Sequence, residues 1–292
     1  MKTHLIEPIS LCFGVKLSID KIKDYAIKHP KDNIYCLGMP VHNELISKQL
    51  EDLGVKVLNV NNPESYEEVL MTIPENSVIV FSAHGHDKNL EKICKEKTLV
   101  ILDTICPIVR QVQEEINRII EKDYDVIYIG KKNHPECHAV LKNAPKVIFW
   151  EFSSSFSVDI IKNSTFIFNQ TTILKERLDN VYEQILKKNN DIIIKNTSCR
   201  YVDSRYEALK QLNHSSYDII VVAGSQKSSN TIEIYNKAIE IFGKEKTLLI
   251  SKADDLFLYK DKLNKANSAL LTSGTSAPIE LINEIKEILT QF

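Results

Sequence analysis

Short apolar runs alternate with amphipathic stretches along the chain. The stretches repeat apolar residues at i, i+3, i+4 and i+7, which is typical of helices that bury one face, and the runs are typical of buried strands. Strands are predicted at 4–10, 33–37, 55–60, 77–81, 98–102, 125–129, 146–149, 165–168, 191–195, 218–222, 247–250 and 269–272. Helices are predicted at 15–29, 44–53, 63–71, around 90–93, 107–122, 156–161, 174–187, 202–214, 231–241, 254–259 and 279–289. This alternation predicts an α/β fold with mostly parallel sheets built from βαβ units.

Three cysteines occupy the same position in this alternation. Cys12, Cys106 and Cys199 each follow a predicted strand and precede a predicted helix. They are separated by 94 and 93 residues, and 93 residues follow the last of them. We therefore divide the chain into three α/β repeats, at 1–105, 106–198 and 199–292, each with one cysteine at the edge of its sheet.

Polar loops recur in phase with the cysteines. Each repeat carries two of them after strands, at His42 and His84, at His134 and Thr171, and at Ser228 and Ser276. Ligands bind beyond the carboxyl ends of parallel strands. Three repeats that turn these edges inward would gather the cysteines and the polar loops around one central cavity.

Charge and composition exclude several classes of protein. With 37 basic and 39 acidic side chains the formal net charge is −2, so no basic surface indicates nucleic acid or membrane as a partner. No apolar run approaches the roughly 20 residues of a membrane helix, and no signal or transit peptide is recognisable. Six cysteines without tight spacing do not form a disulfide framework, so we expect a cytoplasmic protein.

The three equivalent cysteines favour a metal centre. Thiolates that converge from distant parts of a chain suit a soft metal, either zinc or iron–sulfur. Four cysteines usually close an iron–sulfur cluster, so three would leave one iron without a protein ligand, and an open metal position can act as a Lewis acid. Cys36 and Cys94 are interpreted as structural or incidental. A second zinc arrangement, with His134, Cys137 and His138 on one helical face, lacks a fourth ligand at suitable spacing.

Other polar loops offer an anion site. Ser228-Ser229-Asn230 and Ser276 open helices, whose N-termini attract anions, although serine and asparagine are also common N-caps. With His42 and His84 at equivalent edges, a bound phosphate or diphosphate is favoured. The nucleotide-binding glycine patterns are absent from the sequence.

Glu136 is the candidate proton donor. A carboxyl group at the edge of a sheet can act as an acid if burial raises its pKa, although an acid in the first turn of a helix also interacts with the helix dipole. Thr171 and Thr172, in the later loop of the same repeat, have hydroxyl groups that would orient the acid or a substrate hydroxyl.

These motifs resemble those of the LytB/IspH family, the 4-hydroxy-3-methylbut-2-enyl diphosphate reductases. The resemblance covers nearly the whole chain and rests on eight motifs in order: Cys12-Phe-Gly-Val15, Val41-His42-Asn43, Ser82-Ala-His84-Gly85, Thr104-Ile-Cys106-Pro107, His134-Pro-Glu136, Gln170-Thr171-Thr172, Ser228-Ser229-Asn230 and Ser276-Ala-Pro278.

The resemblance implies a trefoil of three pseudo-threefold-related α/β domains around a [4Fe–4S] cluster with one iron not bound by protein. It implies that the cluster ligands are Cys12, Cys106 and Cys199. It assigns the diphosphate to His42, His84, Ser228, Ser229, Asn230 and Ser276. It places His134, Thr171 and Thr172 near the substrate, with Thr171 bonded to the substrate hydroxyl or a water, and it makes Glu136 the proton donor.

The implied reaction uses two electrons and two protons to remove the hydroxyl of 4-hydroxy-3-methylbut-2-enyl diphosphate. The products are isopentenyl and dimethylallyl diphosphates of the non-mevalonate isoprenoid pathway. A ferredoxin or flavodoxin would supply the electrons to a monomer or homodimer.

The sequence departs from the family pattern around the third cysteine. The family usually has Thr-Ile-Cys, whereas this chain has Thr197-Ser198-Cys199 followed by Arg200. Cys137 and His138 replace the residues that usually follow the His-Pro-Glu motif. Two alternatives therefore stay open: a zinc-dependent hydrolase of a phosphorylated small molecule, and a catalytically degenerate protein that binds a cluster or a diphosphate.

Overall fold

A computed structural model describes residues 1–58, 60, 62–154, 164–188, 191–212 and 216–292. The strands are β1 (Lys2–Leu5), β2 (Ile34–Leu37), β3 (Val55–Leu58), β4 (Val78–Val80), β5 (Val100–Leu102), β6 (Asp125–Gly130), β7 (Ile148–Glu151), β8 (Thr165–Asn169), β9 (Ile193–Lys195), β10 (Ile219–Ala223), β11 (Thr247–Ile250) and β12 (Ser268–Ser273). The helix predicted at 156–161 lies outside the described residues, as do residues 213 and 214 at the end of the one predicted at 202–214.

Helices separate most of these strands. They are α1 (Phe13–Lys28), α2 (Glu44–Glu51), α3 (Tyr66–Thr72), α4 (Asn89–Glu96), α5 (Pro107–Ile120), α6 (Pro135–Asn143), α7 (Lys175–Lys188), α8 (Arg200–Lys210), α9 (Ser229–Phe242), α10 (Lys260–Leu263) and α11 (Ile279–Thr290). Two short 3-10 helices, Pro63–Ser65 and Ala253–Tyr259, precede α3 and α10. α6 is not among the helices predicted from the pattern of apolar residues, although His134, Cys137 and His138 have the spacing of one helical face. No described helix is long and apolar enough to cross a membrane.

The strands form three sheets of four within the described residues, and every pairing is parallel. The sheets run in the orders β3-β2-β4-β5, β7-β6-β8-β9 and β11-β10-β12-β1. The strand order within each sheet is therefore the same, counting β1 as the fourth strand of the last sheet. The predicted α/β class with three parallel sheets is confirmed.

The first strand of the chain belongs to the last sheet. β1 pairs in parallel with β12, from Lys2 opposite Ser268 to Leu5 opposite Leu271. The predicted repeat 1–105 groups this strand with β2 to β5 instead, because the alternation along the chain contains no information about which distant strands pair. β1 is also shorter than the predicted strand 4–10, since Pro8 has no N–H for a ladder.

The chain divides into two compact units. The first comprises Met1–Lys16, Val41–Lys48 and Arg200–Phe292, and it holds the sheet β11-β10-β12-β1. The second comprises Leu17–Pro40 and Gln49–Cys199, and it holds the other two sheets.

Both faces of strand β6 are buried in the second unit, and its side chains alternate between two hydrophobic clusters. Ile127 and Ile129 are fully buried and pack in a cluster with residues of α7. Tyr128 points to the opposite face, because side chains alternate along a strand, and it packs with residues of α5 and α6 such as Ile116 and Val140. The apolar residues that repeat at helical spacing in the predicted helix 107–122 are buried in α5: Val109, Val112, Ile116 and Ile119.

Candidate active site

Glu136 lies in the first turn of α6, in the second unit, and is only 1% exposed. Its Oε1 accepts hydrogen bonds from the Tyr128 hydroxyl at 2.9 Å and from the backbone N–H of Thr171 at 2.8 Å. The Thr171 hydroxyl lies 2.7 Å from Oε2. The carboxyl group is thus held by the strand beneath it and by the loop after β8.

Burial raises the pKa of Glu136 above its ordinary value, because desolvation penalises the ionised form. The three hydrogen bonds, from the Thr171 N–H, the Thr171 hydroxyl and the Tyr128 hydroxyl, act in the opposite direction. Burial and the neighbouring Glu136 also raise the pKa of Tyr128 well above its usual range, so this phenol stays a donor. A carboxyl group whose protonated form is favoured by burial is suited to act as a proton donor.

His134 is the N-cap of α6. Its Nδ1 accepts from the backbone N–H of Glu136 at 3.2 Å, which leaves the proton of the neutral ring on Nε2. The His84 ring stands edge-on to it, with 5.3 Å between ring centroids. Two histidines from different polar loops of the second unit are therefore neighbours.

A second layer of contacts supports the acid. Gln170 is fully buried, and its Oε1 accepts from the Lys131 N–H at 2.9 Å and from the Cys137 thiol at 3.3 Å. Its Nε2 donates to the hydroxyl of Thr172. Gly130 lies against the same thiol, since an added Cβ there would be 2.3 Å from Cys137 Sγ.

Each of the three cysteine turns makes an equivalent backbone hydrogen bond. The N–H groups of Cys12, Cys106 and Cys199 donate to the carbonyl oxygens of Thr275, Ala83 and Thr171, at 3.0, 3.0 and 2.8 Å. In each case the cysteine follows the fourth strand of a sheet and the acceptor follows the third. The three cysteines thus occupy equivalent positions in three sheets of the same strand order.

The residue two positions before each cysteine makes a second contact with the neighbouring strand. The Thr104 hydroxyl donates to the Phe81 carbonyl oxygen at 2.5 Å, the Thr197 hydroxyl donates to the Asn169 carbonyl oxygen, and the Ser10 N–H donates to Ser273 Oγ at 2.9 Å. These contacts continue the pairing of the third and fourth strands beyond the ends of the sheets.

Exposure separates the six cysteines into two sets. Cys12, Cys106 and Cys199 are partly exposed, whereas Cys36, Cys94 and Cys137 are buried, and none is in a disulfide. Burial raises the pKa of Cys36 to about 12 and that of Cys94 to about 11, and it also raises the pKa of Cys137. The buried set therefore stays protonated, whereas the thiols of the partly exposed set are accessible.

Arg205 of α8 supports the turn before Cys12, within the first unit. Its side chain is 2% exposed, and Nε donates to the Pro8 carbonyl oxygen at 3.0 Å. Nη2 donates to the carbonyl oxygen of Ser10.

The predicted anion residues of the first unit also meet. Ser228 caps α9, and its Oγ accepts from the Thr231 N–H at 3.4 Å and from the Ser276 hydroxyl at 3.2 Å. The Nδ2 group of Asn230 donates to the Thr275 hydroxyl at 2.6 Å. Its amide oxygen, Oδ1, is buried and has no hydrogen-bond partner among the described residues. Ser229 lies between them at the first position of α9.

His42 lies directly before Asn43, whose side chain accepts from the N–H groups of Leu45 and Ile46 at the start of α2. Burial and the positive charge of Lys227 lower the pKa of His42. The ring is consequently neutral at neutral pH unless an anion joins it.

No group of three or more His, Cys, Asp or Glu side chains is placed to hold a metal ion within the part of the chain that the structure describes. The second zinc arrangement considered from the sequence, His134 with Cys137 and His138, receives no support, since the Cys137 thiol donates a hydrogen bond to Gln170 Oε1.

The chain matches the family model described as LytB protein over residues 3–290. The chain belongs to the LytB family. Its LytB relatives include the 4-hydroxy-3-methylbut-2-enyl diphosphate reductase of Lysinibacillus sphaericus, 30% identical over 296 residues that cover all of this chain and 89% of the relative. The reductase of Bacillus subtilis is 30% identical, with 98% of this chain and 90% of the relative covered.

Solved LytB structures share the fold. The E-1-hydroxy-2-methyl-but-2-enyl-4-diphosphate reductase of Plasmodium falciparum superposes with a TM-score of 0.83 at 25% identity, covering 99% of this chain and 88% of that one. A structure described as the terminal enzyme of the non-mevalonate pathway gives a TM-score of 0.70 at 24% identity over the full length of both chains.

Four supporting residues were not predicted from the sequence: Tyr128 and Asn169 in the second unit, and Arg205 and Thr275 in the first. Each supports a predicted residue or a cysteine turn through a hydrogen bond that joins distant parts of the chain. The spacing of Tyr128 eight residues before Glu136 gives no signal of contact, since a strand, a loop and the start of a helix separate them.

Proposed function

We propose that this chain is an iron–sulfur reductase that converts 4-hydroxy-3-methylbut-2-enyl diphosphate to isopentenyl and dimethylallyl diphosphates. Two electrons and two protons break the allylic C–O bond, form one C–H bond and release the hydroxyl as water. The observation that carries the proposal is the buried carboxyl of Glu136, joined to the Thr171 hydroxyl in a member of the LytB family.

Cys12, Cys106 and Cys199 would hold a [4Fe–4S] cluster with one iron free of protein ligands. The donor set suits such a group in its chemistry, because cysteine thiolates are the usual ligands of iron–sulfur clusters and these three thiols are the partly exposed ones. The described side chains of the three cysteines are not themselves arranged as a closed metal site. When bound, the cluster supplies the electrons and a Lewis-acidic iron for the substrate hydroxyl.

The proton of the acid belongs on Oε2 of Glu136. Oε1 already accepts from Tyr128 and from the Thr171 N–H, so it acts as an acceptor in both protonation states. A protonated Oε2 donates to Thr171 Oγ1 across 2.7 Å, and the Thr171 hydroxyl can then donate its own proton onward. Thr171 would thus relay the proton from Glu136 to the substrate hydroxyl or a water.

Residues around this pair shape the pocket. His134 has its Nε2–H beside His84 and would donate it to the substrate. Buried Thr172 accepts a hydrogen bond from Gln170 and would form part of the pocket wall. Because Glu136, Thr171 and Thr172 are each less than a tenth exposed, water has little access to the acid.

The diphosphate contacts implied by the family resemblance would come from Ser228, Ser229, Asn230, Ser276, His42 and His84. The orphaned amide atom of Asn230 supports this role. Rotating the amide by 180° lets Oδ1 accept from the Thr275 hydroxyl and leaves Nδ2–H as the unpartnered group, which is the donor that a phosphate oxygen needs. An anion would also raise the pKa of His42 and make it a charged donor.

A ferredoxin or flavodoxin would deliver the electrons, and the chain would act in the cytoplasm as a monomer or homodimer. The electron donor follows from the family resemblance, and the location follows from six cysteines without a disulfide framework.

Anaerobic reconstitution with iron and sulfide, followed by turnover of the hydroxylated diphosphate, tests the proposal. Wild-type protein should bind about four irons per chain and form both products with a chemical reductant. Cys106→Ser should lose most of the iron, whereas Cys36→Ala, which removes a buried thiol from β2, should keep it. Zinc without sulfide would favour the hydrolase instead, and cluster or diphosphate binding without turnover would favour the degenerate binding protein.

A further inference from the structure

Asn169, the last residue of β8, lies two residues before Thr171 and is fully buried. We propose that Asn169 is a positioning residue that fixes the Cys199 turn against the loop that carries Thr171, an inference that rests on the cluster role proposed for Cys199.

The Asn169 side chain uses both ends of its amide. Oδ1 accepts from the Thr197 N–H at 2.8 Å and from the Tyr182 hydroxyl at 3.0 Å. Nδ2 donates to Ser198 Oγ at 3.1 Å and to the Gln170 carbonyl oxygen at 3.0 Å. The backbone N–H of Asn169 adds a bond to Thr197 Oγ1 at 3.0 Å.

The other two cysteine turns lack such an amide. The residues equivalent to Asn169 are Phe81 before Ala83 and Ser273 before Thr275, and the residues equivalent to Ser198 are Ile105 and Leu11. Phe81 contributes only its carbonyl oxygen to the bond with Thr104. The Cys199 turn is therefore the one of the three at which an asparagine side chain bridges both segments.

This arrangement explains a departure of the sequence from the family pattern. Ser198 stands where the family usually has an apolar residue, and its hydroxyl accepts the Nδ2–H of Asn169. A hydrocarbon side chain in place of Ser198 would leave one of the two Nδ2–H groups of buried Asn169 without this acceptor, while the other would keep its bond to the Gln170 carbonyl oxygen.

The same amide connects the cysteine with the acid. Asn169 binds the Gln170 carbonyl oxygen, Thr171 follows, and Thr171 accepts the Cys199 N–H through its carbonyl and bonds Glu136 through its hydroxyl. Tyr182 on α7 holds Asn169 from outside this loop. Movement of Asn169 would therefore displace the Cys199 thiol and the Thr171 hydroxyl together.

The test compares Asn169→Ala and Ser198→Ala with a control, Thr247→Val. The control removes a hydroxyl of a buried β11 residue that donates to the Gly243 carbonyl oxygen. Apo-protein is alkylated with iodoacetamide, and the rates at Cys12, Cys106 and Cys199 are read by mass spectrometry. Asn169→Ala should speed alkylation of Cys199 severalfold without changing the other two rates, Ser198→Ala should have a smaller effect, and the control should have none.

A second readout uses reconstituted protein. Loss of iron to a chelator should be about tenfold faster in Asn169→Ala than in wild type, which is the low end for residues that orient metal ligands. The electron paramagnetic resonance spectrum of the reduced cluster should also change in Asn169→Ala and stay unchanged in the control. Asn169→Asp, which keeps an acceptor for Thr197 and Tyr182, should restore part of both properties.

Equal alkylation of Cys199 in folded Asn169→Ala and wild type would overturn the inference, and so would a uniform rise at all three cysteines, which indicates general unfolding. If wild-type protein binds no iron, the proposed function fails, whereas the alkylation rates of the apo-protein still decide whether Asn169 positions Cys199.

Discussion

The Tyr128 hydroxyl donates to Glu136 Oε1 over 2.9 Å, between two groups that are each at most 1% exposed. This bond favours the ionised carboxylate, so it partly offsets the effect of burial on the pKa of Glu136.

Tyr128→Phe should therefore move the pH dependence of turnover. Removal of the donor raises the pKa of Glu136 further, so the acid stays protonated and kcat is retained to higher pH than in wild type. Profiles of kcat against pH for the two proteins check this. Tyr66→Phe serves as the control, because it removes a hydroxyl from the cluster that packs against β2 and β4 and not from the acid. An alkaline limb that moves to lower pH, or stays in place, would contradict the role of Tyr128.

Glu136→Gln should lower kcat by about 10²–10⁴, which is the usual contribution of a positioned acid. The amide has nearly the shape of the carboxyl group and can still accept from Tyr128 and from the Thr171 N–H, so the melting temperature should change little. Thr171→Val keeps the backbone bond to Glu136 and removes the proposed relay, so it should also reduce kcat. Undiminished turnover in Glu136→Gln would reject this residue as the acid.

Substitutions at Ser228 separate helix capping from anion binding. Ser228→Asp keeps an N-cap oxygen for α9, so stability should be preserved, but its negative charge should raise KM for the diphosphate strongly. Ser276→Ala leaves the cap bond intact and should raise KM by about tenfold with little change in kcat, which is the pattern for loss of uniform binding. Thermal melts and initial-rate kinetics on the reconstituted enzyme check both variants. If Ser228→Asp bound substrate as well as wild type, the anion site would lie elsewhere.

Gly130→Ala should destabilise the protein by about 2 kcal/mol or more, because the new Cβ would overlap the Cys137 thiol at 2.3 Å. Gly130→Ala/Cys137→Ala removes that sulfur and should recover much of the loss. Urea unfolding of the two single variants and the double variant gives the coupling free energy. Additive effects would show that another contact explains the need for glycine.

Local pattern predicted most elements of the fold. The periodic stripe of α5 and the apolar runs of the buried strands carry their own signal, since each buries one face against a sheet. The α6 helix was missed because Gly130 to Cys137 is rich in polar and turn-forming residues, and its start depends on His134 acting as N-cap.

The chemistry of the site was predicted in part. Cys106, Glu136 and Thr171 follow strands and belong to recognisable motifs, and the structure brings Glu136 and Thr171 into contact. Their supporting residues could not be predicted, because the bonds of Tyr128 and Asn169 depend on strand pairing and on which face of β6 or β8 a side chain occupies. Such long-range pairing is absent from the local sequence.

The pairing of β1 with β12 has a consequence for biosynthesis. β1 is synthesised some 266 residues before its partner β12, so β1 has no sheet to join until β10 to β12 have been made. The carbonyl of Thr275 that accepts the Cys12 N–H is also made late. The turn that carries Cys12 can therefore form its native hydrogen bond only after residue 275 has been made, and until then its thiol stays outside its folded setting.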